Sequence, residues 1–481
     1  VSYRPWGLFL LWVRRNRLAS AFAAAGVAIA VALGAVIVWR LDRERAAALD
    51  HARAEEARRE ASERRGLVDR DLIDARWLET EADRLWPIHT VSVEALATWV
   101  EETERRTLLL DDRRRALGRA DLESVERRTL QEAVELLARL DRILPELRRR
   151  LDWARRVRQV ESTGDEAWKA ALADIADPSS CPAYGGLALR RQAGLAPIGR
   201  DPASGLWEFA HLPSGSVPSR DPAGRLAIDE GTAVVLVLVP GGNFRPGDLG
   251  PEPFDQDDES QPDEAAAGSV RLAPFFVSRF ELTRAQWERI GGALPPANPG
   301  RPTDPVALVS WEDCETILGR AGLAFPTEAQ WEYAARAEPP GEPRLAWFAG
   351  SSRLFLRGAA NLADLDFARA AKFPEGRFDK DLEDGSPGPA PVGSFRPNRF
   401  GLHDVLGNVA EWCRDGYGAY DEPCRPEDGE RIPALGRGAP RVHRGGAFDS
   451  LPREARSGAR STALPAARLP RLGVRPARPV E

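Results

Sequence analysis

Methionine is absent from the 481 residues, and cysteine and histidine are scarce, at four and five. A chain that opens on Val1 and holds no Met fits an alternative start codon, a processed product or a fragment better than an ordinary complete reading frame. The cysteines, Cys181, Cys314, Cys413 and Cys424, are too scattered for a disulfide scaffold, and none has the Cys-x-x-Cys spacing of a zinc or redox site. Cys413 and Cys424 remain able to pair in an oxidising compartment. The histidines (His51, His89, His211, His403, His443) stand far apart, which excludes the local His-rich motif of a mononuclear iron or zinc centre. Long runs of one charge are missing too. Lys and Arg number 67 against 73 Asp and Glu, interleaved to a net charge of −6, so nucleic acid is not an expected partner. Low-complexity tracts and internal repeats are also absent.

What is present divides into segments, and the length calls for two or three structural units. Residues 1–17 form a short basic stub. From Leu18 to Trp39 no residue is charged, and as a helix this run would extend ~33 Å, enough to cross a hydrocarbon core. It reads as a transmembrane helix, longer than the apolar region of a cleaved signal peptide. Arg14, Arg15 and Arg17 balance Arg40, Arg43 and Arg45 across it, and Asp42 and Glu44 count for little, so a cytoplasmic N-terminus is only mildly preferred. The expected location is the bacterial inner membrane, single-pass, with the C-terminal domain outside the cytoplasm.

Residues 40–176 are rich in Ala, Leu, Arg and Glu. Leu130, Val134, Leu137, Leu140, Leu144, Leu147 and Leu151 share one helical face, predicting a helical stalk or hairpin. Pro87 and Pro145 should break or kink it, and Ser92 should cap a fresh helix. A solvated spacer is favoured over a partner-binding coiled coil, because Trp77, Trp86, Trp99 and Trp153 interrupt a clean heptad. Residues 177–225 turn to Pro, Gly, Ser and Asp, with Trp207 and Phe209 alternating as in a half-buried strand, which suits an adaptor packed on the next domain.

The domain at 226–481 opens with a buried strand, Val234-Val235-Leu236-Val237-Leu238-Val239, closed by the turn Pro240-Gly241-Gly242. A second strand follows at Pro274-Phe275-Phe276-Val277. Thr283, Ser310 and Thr327 then stand as N-caps of three short helices, the last with Gln330 at its third position. Beyond Arg336, Gly, Pro and Asp recur every few residues, and regular structure should be sparse.

Five features agree in order: the Pro-Gly-Gly turn, Pro326-Thr327-Glu328-Ala329-Gln330-Trp331-Glu332, Gly407-Asn408-Val409-Ala410-Glu411-Trp412, Arg444-Gly445-Gly446 and Gly473-Val474-Arg475. Together they resemble the sulfatase-modifying-factor family, whose founding member is the formylglycine-generating enzyme. The resemblance covers about half the chain. It implies an α+β, C-type-lectin-like fold with sparse secondary structure, here preceded by a transmembrane helix and a helical stalk. The span, the stalk and the segment 194–199 also resemble bacterial receptor-like serine/threonine kinases that carry this module at their C-terminus. No kinase signature is present in the chain itself.

The resemblance implies calcium. One site would use Asn361, the Leu362 carbonyl, Asp384 and the Ser386 carbonyl, and a second Asp404, Glu411 and the carbonyls of Gly407 and Val409, a mixture of hard oxygen ligands that suits this cation. Alternatively, Asp404 and Glu411 hydrogen-bond backbone amides in a tight turn. The family's oxidation of a substrate cysteine depends on a copper-binding cysteine pair shortly after the Arg-Gly-Gly triplet. Here the chain reads Ala447-Phe448-Asp449-Ser450-Leu451-Pro452-Arg453-Glu454-Ala455. Ser450 stands where the first cysteine would fall, Ala455 near the second, and the segment to Arg460 is shortened. A serine hydroxyl is a poor ligand for Cu(I), so neither copper nor catalysis is expected. The family's third chemistry, sulfoxide synthesis, needs clustered histidines that the stalk lacks. Ala324 replaces an Arg usual in the core motif.

Phe448, Asp449, Ser450, Arg453 and Arg456 fall where relatives present a substrate groove and are the ligand-binding candidates. The alternative makes Phe448 core and the arginines solvated charges. The expected function is a noncatalytic, membrane-anchored module that binds a peptide, protein or small ligand outside the cytoplasm. A formylglycine-generating oxidase and the C-terminal sensor half of a receptor kinase are the alternatives.

Overall fold

The computed structural model describes residues 5–82, 85, 93–119, 124–247, 264, 268–296, 299–338, 344–372, 377–420, 422, 424–431 and 438–481. Trp86, Pro87, His89 and the cap Ser92 lie outside them. Six helices come first among these residues: α1 (Pro5–Arg15), α2 (Arg17–Ala82), α3 (Val93–Thr107), α4 (Leu110–Leu117), α5 (Ser124–Thr163) and α6 (Asp165–Ala176). The order then runs β1 (Leu195–Arg200), β2 (Trp207–His211), β3 (Val234–Val239), β4 (Gly242–Phe244), β5 (Val270–Leu272), β6 (Phe275–Ser278), α7 (Arg284–Arg289), α8 (Trp311–Arg320), α9 (Glu328–Arg336) and α10 (Leu365–Ala371). Five short strands close it: β7 (Ala410–Gly416), β8 (Arg441–Arg444), β9 (Ser461–Ala463), β10 (Leu472–Gly473) and β11 (Ala477–Pro479).

The chain forms two compact units, Val1–Thr80 with Thr103–Arg142, and Glu81–Glu102 with Ile143–Glu481. In the first, the apolar start of α2 is wholly exposed and long and apolar enough to cross a membrane. Farther along, Val68, Leu72, Ala75 and Leu78 of α2 are buried, as are Leu130, Ala133, Leu137 and Leu140 of α5. Asp71 accepts from Arg113 Nε at 2.8 Å and pairs with Arg106, so one buried carboxylate gathers two arginines. Of the seven apolar positions expected on α5, six are buried and Val134 is half-buried. Pro145 does not end that helix but sits inside it. A proline there costs about 3 kcal/mol, and Leu144, Leu147 and Leu151 beside it bury enough apolar surface to offset that.

The second unit is built on an antiparallel sheet ordered β1-β2-β3-β6-β11. Every residue of β3 is buried, as its unbroken Val/Leu run requires. The adaptor segment supplies β1 and β2, and Trp207 and Phe209 lie on a strand buried throughout. Phe209 meets Phe276 edge-on at 5.4 Å. Tyr184 locks the hairpin in place: its hydroxyl donates to Leu238 O at 2.9 Å and accepts from Trp207 N–H. Helix α6 joins the same core through Trp168, Ala171 and Ile175. A second sheet, β10-β7-β8-β9, carries parts of the later motifs, and the β4-β5 ladder follows the Pro-Gly-Gly turn.

Thr283, Ser310 and Thr327 each form the full capping box expected of them, with Gln286, Asp313 and Gln330 reaching back to the cap N–H. The Pro-Gly-Gly turn is fixed by a close approach: a Cβ on Gly241 would lie 2.4 Å from Leu272 O.

Candidate functional site

The family-like motifs build a buried ionic frame. On α9, Glu332 is held by Arg336 at 2.9 Å and Arg444 at 2.5 Å, while Glu328 takes Arg460 at 2.7 Å. Burial alone would push the Glu332 carboxyl up, but Arg336, Arg444 and Arg344 outweigh it and hold the carboxyl below its ordinary range. Between these side chains, Trp331 Nε1 donates to Glu411 Oε2 at 2.6 Å, and Arg475 grips both oxygens of Glu411. The motifs of α9, β7, β8 and the terminal Gly-Val-Arg therefore converge on one place, far apart as they are in sequence.

Around Glu411 lies the second set of expected calcium ligands. Asp404, in a left-handed conformation, accepts from Gly393 N–H at 2.5 Å and Phe395 N–H at 3.2 Å. Val409 N–H and the Asn408 amide both donate to Glu281, a residue the sequence pattern did not single out. Gly407 has φ 76°, and a Cβ there would lie 1.8 Å from Asn361 O, so only glycine fits. Three buried carboxylates (Glu281, Asp404, Glu411) thus face one guanidinium, Arg475. Burial and the like charges of Asp404 and Glu411 push Glu281 well up, and burial pushes Asp404 up to about 6. The excess negative charge is the kind a divalent cation would neutralise.

The first set lies next to it, joined through Asn361 Nδ2, which donates to Asn408 Oδ1 at 3.0 Å. Asn361 is fully buried, yet its Oδ1 has no hydrogen-bond partner. An orphaned carbonyl oxygen fits a missing oxygen-seeking ion. Asp384 accepts from Leu362 N–H and Ser386 N–H, and burial, with Asp364 as a like-charged neighbour, pushes it up to about 7. Among the described residues, Asp364, Asp366 and Asp384 are a group whose carboxylate oxygens lie within 4.8 Å of one another. Neither Asp364 nor Asp366 was expected, because no spacing rule joins residues on the two ends of a chain excursion.

The five ligand-binding candidates are spread over this end of the domain. Phe448 is half-buried and meets Phe367 at 6.0 Å. Asp449 pairs with Arg471. Ser450 is part of a turn: its N–H donates to Ala447 O, its hydroxyl accepts from Ala447 N–H, and its carbonyl accepts from Ala363 N–H at 2.9 Å. Arg453 and Arg456 line a pocket of about 240 Å³ with Trp347, Arg353, Phe378 and Asp379. Its walls are fixed: Trp347 Nε1 donates to Pro452 O, Arg353 pairs with Asp379, and Arg456 pairs with Glu264. All four cysteines are free thiols, Cys413 and Cys424 included, and burial pushes the Cys413 thiol far up.

Residues 227–480 match the sulfatase-modifying factor enzyme 1-like domain. A formylglycine-generating enzyme of Streptomyces coelicolor is 36% identical over 219 residues, 44% of this chain and 64% of that protein. One from Thermomonospora curvata is 30% identical over 267 residues, 44% of this chain and 82% of that protein. The serine/threonine-protein kinase pkn1 of Chlamydia pneumoniae is 27% identical over 244 residues, 45% of this chain and 33% of that protein.

Proposed function

Because the chain belongs to the family of sulfatase-modifying factor enzyme 1-like domains, we propose that it uses this fold as a membrane-anchored binding module without oxidase chemistry. The observation that carries the reading is Ser450. Cu(I) needs soft thiolate ligands, and a serine whose hydroxyl closes a turn on Ala447 N–H stands where the first would be. The neighbouring pocket keeps what a binding role needs: aromatic walls from Trp347 and Phe378 and charged groups from Arg353, Arg453 and Asp379.

Its volume, about 240 Å³, suits one or two side chains of a peptide. Calcium, held by Asn361 and Asp384 at one site and Asp404 and Glu411 at the other, would neutralise buried charge and brace the loops. Helix α2 anchors the chain in a membrane, with the C-terminal domain outside the cytoplasm. Similarity to pkn1 favours a second reading, a sensor half working with a kinase domain, and an in-frame kinase sequence upstream of Val1 in the DNA would establish it.

Selection from a random-peptide phage library tests the binding role. The protein should enrich a consensus peptide, and R453A should weaken its Kd at least tenfold. Enrichment of no consensus, or equal affinity for R453A, contradicts the assignment.

A further inference from the structure

We infer that α1 (Pro5–Arg15) is a second lipid contact, a helix lying flat in the headgroup region ahead of the segment proposed to cross the membrane. This deepens the membrane-anchored reading and rests on it. The sequence shows a basic stub over residues 1–17, but Pro5–Arg15 is helical, and no residue from Pro5 to Val13 is charged. Trp6, Leu8, Phe9, Leu10 and Trp12 are all exposed. Trp6, Phe9, Leu10 and Val13 follow three-and-four spacing along one face, with Gly7, Leu11 and Arg14 in register on the other. Trp6 meets Phe9 edge-on at 5.5 Å. A contiguous apolar surface of this kind marks a contact waiting to be covered. Arg14, Arg15 and Arg17 separate it from Leu18, where the uncharged run of α2 begins.

Length and charge together leave α1 few places. Its 11 residues extend ~16 Å, about half of a ~30 Å hydrocarbon core, so it cannot cross alone. Carried into the core in line with α2, it would draw Arg14, Arg15 and Arg17 into hydrocarbon, where each cation is costly. Held upright outside the arginines, it would leave its tryptophans and leucines in water. Flat at the surface, the apolar face enters the acyl boundary and the indoles sit at headgroup level. The arginines then reach the lipid phosphates, whose oxygens suit the guanidinium fork. The occupant is thus the same phospholipid surface that α2 enters one residue later. That residue, Asn16, is the hinge between α1 and α2. Its N–H donates to Trp12 O at 2.9 Å, and its carbonyl accepts from Ser20 N–H at 3.0 Å. Opening these bonds bends the chain in the headgroup region, where water and phosphates satisfy the freed groups.

The test uses the full chain reconstituted in vesicles of phosphatidylcholine and phosphatidylglycerol. W6C, L10C, V13C and V31C are each labelled with a thiol-reactive nitrobenzoxadiazole dye, and the labelled wild type supplies the background of the native cysteines. The quenchers are phosphatidylcholines carrying a nitroxide either near the headgroup or near the acyl terminus. All three α1 labels should be quenched at least twofold more by the shallow nitroxide than by the deep one. Any other pattern at W6C overturns the inference: quenching by neither marks a helix upright in water or covered by protein, and stronger quenching by the deep nitroxide marks an inserted one. V31C, near the middle of the uncharged run, reports α2 alone and should favour the deep nitroxide. Shallow quenching along α1 with V31C quenched by neither removes the span and keeps the surface helix. Deep quenching of V31C with W6C quenched by neither does the reverse, so the two readings fail separately.

Discussion

At the scale of single residues, the buried charges separate what the sequence pattern announces from what only the fold assembles. Glu332 and Arg444 stand in motifs, yet their purpose is visible only once α9 and β8 are adjacent and the two pair at 2.5 Å with both side chains fully buried. Breaking such a pair costs about 3–5 kcal/mol. Glu281 carries no local signal, since an isolated acid reads as a solvated charge until its neighbours are known, and Asp364 signals only the start of α10, which it caps through the N–H groups of Asp366 and Phe367. His443 makes a testable case. Burial, with Arg471 nearby, holds its ring at about 4, against roughly 6.5 for an unfolded histidine. Between those values the unfolded chain binds a proton that the folded chain refuses, so the contribution of His443 to stability must fall as pH drops from about 6.5 to about 4, by about 3 kcal/mol. In urea titrations at pH 7 and pH 4.5, the change in stability should be less favourable in the wild type than in H443Q by about 3 kcal/mol; equal changes in both would exclude His443 as a source.

At the scale of elements, the short helices of the second unit were the most legible part. Thr283, Ser310 and Thr327 each sit three residues before a side chain able to return the hydrogen bond, and all three boxes form. The strand β3 was equally plain, because six consecutive Val and Leu residues have no exposed face. Less legible was the start of the folded domain. The composition of 177–225 suits an adaptor with a half-buried strand at Trp207 and Phe209, but that strand is buried on both faces because β2 pairs with β3 in register from Glu208↔Val237 to His211↔Val234, and Tyr184 ties both. Of the break or kink expected at Pro145, the break does not occur, since a helix amphipathic on both sides of a proline can continue through it. Truncation measures the difference. A protein beginning at residue 226 would leave the β3 edge open and Leu236 and Val237 uncovered, and should aggregate or melt without cooperativity. One beginning at residue 164 keeps α6, β1 and β2 and should show a single sharp thermal transition. Comparable stability of the two would contradict the sheet order found here.

At the scale of the whole molecule, an apolar helix lies near the start of the chain and a sulfatase-modifying factor enzyme 1-like domain fills residues 227–480. The start of α2 combines a mean hydropathy of 2.6 with complete exposure, a surface that water tolerates poorly over such a length. In bacterial fractions the chain should stay with the membrane after alkaline carbonate washing, and a version lacking residues 1–39 should be released. Release of the full chain would remove the anchor. In the family domain, Trp331 and Arg475 hold the buried carboxylate of Glu411. The most direct test of the binding reading is therefore chemical. The purified protein, loaded with Cu(I) under oxygen and given a peptide containing Cys-x-Pro-x-Arg, should return that peptide at unchanged mass in the spectrometer; formation of the aldehyde would contradict a module without oxidase activity.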